Sequence, residues 1–351
     1  MPPVQPGGSA LPGWTSSQTL DGHFLQTGHI VLNARTTHAA VIDSFGGPDR
    51  FHLEELPLAA PGAGEVQIRV AAAAVNPVDL ATRAGMVVPA DAAHFPMTIG
   101  WDAAGTIERV GEDVADWQVG DRVAAMTPQP ADQNGTYAEH MNVAVNLLAR
   151  VPDGVSLEQA ATIPLVGLTA SQMVGWVHVP SGATLLVDAP LGAVGRLVVQ
   201  LARNEGITVV AVTRPQDRDA ALELGATEVV DRGDFTAAVR ELYPRGVDAA
   251  IDLVGGATAR ASFASIRDGG AYITAVPPFL DNTGPFTSER DIRVEIQNAH
   301  PDAPVLTRLL EAVGRGELTS SIEHTYPLAE AVEAHSRQAR GGLRGKLVLV
   351  P

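Results

Sequence analysis

The stretch that decides the fold is residues 184–212, which read TLLVDAPLGAVGRLVVQLARNEGITVVAV. An apolar run meets a short turn that contains Pro190 and Gly192, and apolar residues then recur at helical spacing until Gly206. A second apolar run follows directly. This order predicts a strand, a tight loop, a helix and a second strand, which is the repeating unit of a parallel α/β sheet.

Gly192 and Gly195 give the loop two alternative interpretations. In a nucleotide-binding loop Gly192 would let the backbone approach a pyrophosphate and Gly195 would let the helix pack on its strand, while the helix N-terminus would present N–H groups to the anion. Pro190 occupies the first of the three usual glycine positions, so the motif is G-x-x-G and not the full fingerprint. On these residues alone, an α/β protein that binds no nucleotide is an equally good interpretation.

The composition restricts the class of protein. A chain of 351 residues with 45% hydrophobic content can bury a large core and is expected to hold two domains. The formal net charge of -16 argues against nucleic acid or an anionic membrane as a partner, and no apolar run is long enough to cross a bilayer. We therefore expect a soluble cytoplasmic protein that acts on a small molecule. The absence of cysteine excludes disulfides, thiol nucleophiles and a thiolate zinc site.

Four segments are expected along the chain. Residues 1–37 are rich in Gly, Pro, Ser and Thr and are interpreted as a mobile leader. Residues 38–157 contain short strand patterns separated by glycine turns, which predicts a barrel-like β domain. Residues 158–290 are the candidate nucleotide-binding region. Residues 291–351 carry helix and strand patterns that are compatible with an extension of the sheet or a return to the barrel.

Strand and helix patterns alternate regularly through the second region. The apolar runs typical of strands are 185–187, 209–212, 228–230, 249–253 and 271–275. The helical patterns between them are 193–204, 217–224, 235–242 and 257–266. Four helices between five strands predict a doubly wound parallel sheet, so the fold class is α/β.

Several motifs in fixed order resemble the medium-chain dehydrogenase/reductases, and specifically their zinc-free quinone oxidoreductase-like branch. They are VNPVDLATRAG at 75–85, GWDAAGTIERVG at 100–111, VGDRVA at 119–124, GTYAEH at 135–140, AATIPLVGLTA at 160–170, DLVGG at 252–256, PLAEAVEAH at 327–335 and GKLVL at 345–349. The resemblance implies a GroES-like β-barrel domain to which residues 291–351 return, a Rossmann domain between its two parts, and an active site in the cleft between the domains.

Zinc-dependent members of that superfamily hold the metal with Cys and His, in a segment that reads Gly-His-Glu. The corresponding residues 100–102 read GWD, and the chain has no cysteine. The sequence therefore predicts no catalytic metal. His23, His29 and His38 are interpreted as solvated histidines in preference to a metal site.

Cofactor choice is read at the end of the second strand of the sheet, about 20 residues after the glycine loop. Thr213 and Arg214 occupy that position, and Arg218 follows one turn later. Arginine can bind a 2′-phosphate through two N–H groups, which favours NADPH over NADH. Asp217 and Asp219 weaken the local positive field, and the alternative is that both arginines are ordinary solvated residues.

The resemblance also implies which residues line the cofactor. It places one group near the nicotinamide and another along the phosphates and the opposite edge of the cofactor. The first group is Ile163, Pro164 and Thr169. The second group is Gly192, Ala193, Val194, Gly195, Val254, Gly255, Ala275 and Val276.

Three residues are candidates for the reaction itself. Asn76 is implied to reach the cleft, where its amide would orient a substrate carbonyl, and an Asx turn before Pro77 explains it equally well. Residues 86–88, MVV, stand where many members of the branch place a tyrosine. Tyr137 is therefore the nearest alternative acid, although such a tyrosine more often packs in a barrel, and water is another proton source. Trp101 is expected to line the barrel or the rim of the cleft.

The leading hypothesis is a zinc-independent, NADPH-dependent oxidoreductase that reduces a quinone or an α,β-unsaturated carbonyl by hydride transfer in the interdomain cleft. Asp188, Pro190 and Leu191 in the glycine loop favour a second hypothesis, a non-redox cyclisation or addition with weakened or lost cofactor use. A non-catalytic nucleotide sensor is the third. A homodimer formed through the nucleotide domains is expected from family analogy and from the apolar run at 271–276.

Overall fold

The computed structural model describes residues 35–128, 134–276, 286 and 290–351. Most of the predicted leader, with His23 and His29, lies outside the described residues. The predicted end of that leader at residue 37 is wrong, because strand β1 (Arg35–Ile42) already begins at Arg35. His38 lies in this strand, and its Nδ1 atom is 3.1 Å from a carboxylate oxygen of Glu139.

The barrel-like domain is built from two sheets. Its N-terminal elements are β1, β2 (Phe51–Leu58), β3 (Glu65–Val75), α1 (Pro77–Arg83), β4 (Met97–Thr98), β5 (Asp102–Val110), β6 (Arg122–Met126), β7 (His140–Ala144) and β8 (Leu148–Arg150). Two more strands, β15 (Ile322–Pro327) and β16 (Lys346–Val350), come from the C-terminal end. One sheet has the order β15-β16-β3-β5-β6-β8 with β7 paired to β3, and the other has the order β2-β1-β4.

The return of the C-terminal segment is fixed by one strand pairing. β16 runs antiparallel to β3, with Leu347 opposite Val75. The paired residues 73–75 of β3 and 347–349 of β16 are apolar and buried, so the pairing places the end of the chain in the core of the barrel-like domain. Lys346 thereby comes next to the end of β3, far from it in sequence.

The second domain is a six-stranded parallel sheet in the order β11-β10-β9-β12-β13-β14. The strands are β9 (Thr184–Asp188), β10 (Thr208–Thr213), β11 (Glu228–Asp231), β12 (Val247–Asp252), β13 (Ile266–Thr274) and β14 (Arg293–Ile296). The helices are α2 (Leu157–Ala161) and α3 (Pro164–Val177) before the sheet, then α4 (Ala193–Asn204), α5 (Arg218–Leu224), α6 (Phe235–Leu242) and α7 (Gly256–Ser265). The strand order reverses between β9 and β12, and in such sheets ligands bind outside the carboxyl ends of the strands at that point. The α/β fold class is thus as predicted, a Rossmann sheet joined to a barrel-like domain.

Helix α4 shows how the local sequence sets the elements of this sheet. It begins after Gly192, and Leu197, Val198 and Ala202 form its buried face against the sheet. Gly206, with φ of +74°, adopts the left-handed conformation that ends a helix and turns the chain into β10. The helix has the bounds that the sequence predicts.

The sheet extends further than the sequence pattern indicates. β14 was not predicted, and it carries the sheet past residue 290 to Ile296. Among the described strands β14 is at the edge of the sheet, so the part of the apolar run 271–276 that lies in β13 is next to the edge strand. Helix α8 (Ala303–Gly314) then packs on α3 and β8, and α9 (Ala331–Ala339) packs on β16. No helix in the described part of the chain has the length and apolarity to span a lipid bilayer.

Candidate active site

Two adjoining cavities lie at the point where the strand order reverses. The first, of about 250 Å³, is formed by the loop after β9, the end of β10 and residues 342–344 before β16. The second, of about 380 Å³, is formed by the same loop together with Val75, Val166 and Lys346. Gly192 and Gly342 line both cavities, so the two form one cleft with walls from the sheet and from the barrel-like domain.

The two loop glycines differ in the space around them. A Cβ atom at Gly195 would overlap the carbonyl oxygen of Ala189, so this glycine permits the close packing of α4 on the loop. Gly192 has an ordinary φ of -70°, and the nearest protein atom to an added Cβ would be 3.4 Å away. The fold itself therefore tolerates a side chain at Gly192, and its absence leaves the cleft open above the N-terminus of α4. A pyrophosphate fits this space, because the first turn of α4 lines the cleft and the helix N-terminus has no side-chain cap.

The unusual residues of the loop do not close it. Asp188 is buried, and its Oδ2 accepts a hydrogen bond of 2.6 Å from the Ser262 hydroxyl of α7. Burial raises the pKa of the Asp188 carboxyl well above its usual range, and the nearby Asp252 carboxylate adds to this effect. Burial therefore disfavours the charged form of the carboxyl, which weakens its repulsion of a phosphate. Leu191 is 8% exposed and packs into the main core.

Three arginines surround the first cavity at the end of β10. Arg214 donates a 2.7 Å hydrogen bond from Nε to Asp217, and Arg344 pairs with the other oxygen of the same buried carboxylate. Arg232 also lines this cavity. Thr213 and Arg214 thus lie where the sequence predicts.

Arg218 does not lie there. Its guanidinium donates to the carbonyl oxygen of Val229 at 2.8 Å, and its side chain lines neither cavity. The predicted contact between Arg218 and a 2′-phosphate is therefore wrong, and Arg232 and Arg344 were missed. Arg344 stands in the segment GGLRGK, 130 residues after Arg214, and no local pattern connects the two positions.

The predicted cofactor-lining residues separate into two groups. Those that line the cleft are Gly192, Ala193, Val194, Gly195, Val254, Ala275 and Val276. Those that line neither cavity are Ile163, Pro164, Thr169 and Gly255. Thr169 donates its hydroxyl to the carbonyl of Leu165 within α3, and Val166 takes the place at the wall. The contact of the second group with a cofactor stays a prediction that these two cavities do not support.

A buried polar network connects the barrel-like domain to the cleft. Asn76 is fully buried, and its Nδ2 donates to Asp102 at 2.9 Å while its Oδ1 accepts from Lys346. Lys346 also donates to the carbonyl oxygen of Val75 at 2.8 Å. The second oxygen of Asp102 accepts the backbone N–H of Leu165 at 2.8 Å, at the start of α3. Both ends of the Asn76 amide are therefore occupied, and Asn76 holds Lys346 instead of contacting a ligand.

The electrostatics of this network are set by burial. Burial raises the pKa of Asp102 to about 6, although Lys346 and Asn76 oppose this effect. Burial raises the pKa of Asp79 to about 7, and its Oδ2 accepts the backbone N–H of Asn76 at 2.6 Å. Burial lowers the pKa of Lys346, and the carboxylates of Asp102 and Asp79 oppose it. Two acids with raised pKa values and one base with a lowered pKa therefore lie behind the cleft wall.

Tyr137 belongs to the barrel core. It is fully buried, its hydroxyl donates to Asp79 at 3.0 Å, and it accepts from Nε2 of His335 at 3.2 Å. Burial and the Asp79 carboxylate raise the pKa of Tyr137 well above its usual range. The prediction that Tyr137 supplies a proton to the substrate is wrong, because Tyr137 lines neither cavity and its hydroxyl is bonded to Asp79 and His335 in the barrel core.

Trp101 lines neither cavity. It is half-buried against the main core, and its carbonyl oxygen accepts the backbone N–H of Thr127 at 2.8 Å. Its indole Nε1 is buried and has no hydrogen-bond partner among the described residues. Of its two expected places, the barrel and the rim of the cleft, the structure thus puts Trp101 in the core next to Asp102 and not at the rim of these two cavities.

Lys346 is the functional candidate that the sequence patterns missed. It is 3% exposed, and it lines the second cavity beside Val75, Pro77 and Val166. One signal could have identified it: of the 24 lysine and arginine residues in the chain, Lys346 is the only lysine.

One group of side chains could hold a cation by distance alone. The ligand atoms of Asp43, His52 and Glu54 lie within 4.8 Å of one another on the outer face of β1 and β2. These side chains are solvent-accessible and line neither cavity. Nothing else at this position in the described structure indicates a ligand.

Comparison with known proteins places the chain in one group. Residues 62–153 match the family described as "Alcohol dehydrogenase GroES-like domain", and residues 224–349 match "Zinc-binding dehydrogenase". A 2-haloacrylate reductase from Burkholderia sp is 31% identical over 332 residues, which cover 89% of this chain and 98% of that protein. A mitochondrial NAD(P)H oxidoreductase from Mus musculus is 31% identical over 361 residues, with 90% of each chain covered. The structure of the quinone oxidoreductase from Coxiella burnetii has a TM-score of 0.81 and 29% identity, and covers 90% of this chain and 100% of its own.

Proposed function

The chain belongs to the quinone oxidoreductase-like family of the medium-chain dehydrogenase/reductases, and on this premise we propose that it is a zinc-independent, NADPH-dependent reductase of quinones or α,β-unsaturated carbonyls. Its relatives support an oxidoreductase that uses a nicotinamide cofactor. The choice of NADPH, the hydride transfer and the substrate class are the proposal.

The observation that carries the choice of NADPH is the arginine group at the end of β10. Arg214 and Arg344 share a single carboxylate, Asp217, and Arg232 lines the same cavity. Three guanidinium groups against one carboxylate leave positive charge where the ribose 2′-position of a dinucleotide lies in this fold. An acidic residue that would hold a free 2′-OH is absent from the end of β10, where Thr213 stands and Asp217 is already paired. A 2′-phosphate complements this charge.

The remaining parts of the cleft suit hydride transfer. When bound, NADPH supplies a hydride to the substrate. Gly192 and the N-terminus of α4 bind the pyrophosphate, and the apolar side chains of Val75, Val166 and Val276 exclude water from the space beside the nicotinamide. The cleft offers a carbonyl substrate an apolar wall with one cation, Lys346, behind it.

The experiment that tests this proposal combines binding and turnover. We expect NADPH to quench the intrinsic Trp fluorescence, to raise the melting temperature, and to be oxidised with members of a panel of quinones and enones. Absence of both binding and NADPH oxidation would refute the proposal. Turnover of a substrate with no nicotinamide present would instead support the non-redox alternative.

An arginine pair provides a matched control. In Arg214→Ala the dissociation constant for NADPH should rise about 10- to 100-fold while that for NADH changes little, because a charge-assisted hydrogen bond contributes about 1.5–3 kcal/mol. Arg218→Ala removes a neighbouring arginine that bonds to a backbone carbonyl outside the cavity, and it should change the two affinities equally. Equal losses of NADPH and NADH binding in Arg214→Ala would contradict the assignment.

The proposed partner is a second copy of the chain, bound through the edge of the sheet. All four residues of β14 are exposed, including Val294 and Ile296 at 37% and 41%, and an exposed edge of this kind favours pairing with another strand. Light scattering should give the mass of a dimer, and Val294→Lys should shift it toward the monomer. A monomer mass for the unaltered protein would refute the dimer.

A further inference from the structure

Lys346 stands apart from every other cation of the chain. It is the only lysine, it is 3% exposed, and it lines the cavity of about 380 Å³ beside the glycine loop. The other 23 of the 24 lysine and arginine residues are arginines. The one position that keeps an ammonium is therefore a buried position at the wall of the cleft.

The hydrogen bonds of Lys346 leave one donor unused. An ammonium carries three N–H donors. One is accepted by the carbonyl oxygen of Val75 at 2.8 Å and one by Oδ1 of Asn76, and no third acceptor lies within reach among the described residues. Asn76 cannot turn its amide around, because its Nδ2 donates to Asp102 at 2.9 Å. The two occupied donors fix the ammonium, and the third N–H is left for the cavity that the side chain lines.

An arginine could not take this place. The guanidinium is planar, larger and always protonated, whereas an ammonium is compact and can give up a proton when it is buried. Burial lowers the pKa of Lys346, and the carboxylates of Asp102 and Asp79 oppose this effect by favouring the charged ammonium. Lys346 can therefore be charged when the substrate binds and neutral after a proton has left.

We propose that Lys346 is the acid of the reaction, with its third N–H donated to the carbonyl oxygen of the substrate. This proposal rests on the reductase function proposed above. It supplies the acid that is missing from residues 86–88 and that Tyr137 does not provide. By the same geometry, Asn76 and Asp102 are positioning residues that act through Lys346.

The proton and electron balance is as follows for an α,β-unsaturated carbonyl. A hydride from the reduced nicotinamide forms a C–H bond at the β-carbon, and the π electrons move onto the carbonyl oxygen. The N–H bond of Lys346 breaks and an O–H bond forms, which leaves a neutral amine and an enol. The amine regains a proton from water, and the enol converts to the saturated carbonyl compound. The net change is addition of one hydride and one proton to the C=C bond.

The single lysine allows a test that does not depend on turnover. Protein labelled with 15N-lysine gives one side-chain amine signal, which belongs to Lys346. We choose 4-nitrophenol with NADP+ as the probe, because its phenolate resembles the oxyanion and absorbs visible light. Binding should shift the Lys346 signal, and the bound probe should ionise at a pH below that at which the free probe ionises. A Lys346 signal that stays unchanged at millimolar probe overturns the proposal.

Substitutions separate a chemical role from a structural one. Lys346→Met leaves Asp102 without its cation, so the double variant Lys346→Met/Asp102→Asn is included to keep the buried site neutral. In the double variant, kcat for an enone should fall about 100-fold or more, while the dissociation constant for NADPH stays within about twofold. In the double variant the bound probe should no longer ionise at a lower pH than the free probe. A kcat within about threefold of the unaltered enzyme overturns the role of Lys346.

The two proposals can fail separately. If the unaltered protein oxidises NADPH but the double variant does so equally well, the reductase function stands and the role of Lys346 is wrong. If the unaltered protein oxidises NADPH with none of the quinones and enones, the reductase function is wrong. A shift of the Lys346 signal by the probe would then still show that its ammonium binds an oxyanion in the cleft.

Discussion

We predict that the free energy of unfolding falls at low pH in part because His335 is buried and neutral in the folded protein. The substitution His335→Gln removes this titratable group and so measures its contribution. Burial lowers the pKa of His335 from 6.5 to about 3, and the facing Arg83 guanidinium adds to this effect. In the folded protein Nδ1 accepts from Arg83 at 3.2 Å and Nε2 donates to Tyr137 at 3.2 Å, so the imidazole has no free site for a proton. The unfolded chain takes up that proton as the pH falls through 6.5.

The size and sign of the effect follow from this difference in pKa. A group whose pKa is depressed in the folded state contributes stability that is present above pH 6.5 and is lost as the pH falls toward 3. Between pH 7 and pH 5 the unfolded state gains about 2 kcal/mol from His335, at about 1.4 kcal/mol per pH unit below 6.5. Any folded-state pKa below about 4 gives nearly the same value.

Urea unfolding at pH 7, 6 and 5 measures this difference. At pH 7 His335→Gln should be less stable than the unaltered protein by about 1–3 kcal/mol, because Tyr137 and Arg83 lose a buried partner. At pH 5 the difference in the free energy of unfolding between the unaltered protein and His335→Gln should be smaller by about 2 kcal/mol. Phe51→Leu is the matched control, since the Phe51 ring packs 4.7 Å from His335 and carries no titratable group, so its gap should not change with pH. A gap for His335→Gln that stays constant or widens at pH 5 would show that the imidazole is not held neutral.

Three further substitutions test the glycine loop. Gly195→Ala should lower the free energy of unfolding by about 1–3 kcal/mol in urea, because its Cβ meets the Ala189 carbonyl. Gly192→Ala should change the free energy of unfolding by less than about 1 kcal/mol but raise the dissociation constant for NADPH about tenfold or more in a fluorescence titration. An unchanged dissociation constant would contradict a phosphate at this position. Ser262→Ala should lower stability by about 1–3 kcal/mol, because Asp188 loses the donor at its Oδ2; an unchanged urea midpoint would argue against that hydrogen bond.

The sequence predicted the Rossmann half well because that half is organised locally. Alternating apolar runs and helical patterns need no knowledge of distant residues, and Gly206 marks the end of α4 by its own conformation. The limits of this approach appear at β14, whose four residues RVEI are all exposed and carry no apolar run. β2 is similarly half-exposed, and its pattern is weak for the same reason.

The candidate site was predicted only in part because its residues come from distant segments. The loop glycines, Thr213 and Arg214 lie within or directly after one strand–helix–strand unit, and the local sequence pattern identified them. Arg344 and Lys346 reach the cleft only because β16 pairs with β3, and that pairing cannot be derived from local patterns. The errors at Tyr137 and Arg218 have the same origin, because the direction of each side chain depends on partners elsewhere in the chain.

The buried network behind the cleft is better explained by the positioning of Lys346 than by a contribution to the stability of the fold. Burying two carboxyls and an ammonium is costly, and such groups add little stability even when they are paired. Asp102 accepts the N–H of Leu165 at the start of α3, and through Asn76 it fixes Lys346 at the start of β16. The network therefore ties three strands of the barrel-like domain to the helix that forms one wall of the cleft. Under our proposal the network fixes the Lys346 ammonium, because a side chain that is free to move would not hold its N–H toward one atom of a substrate.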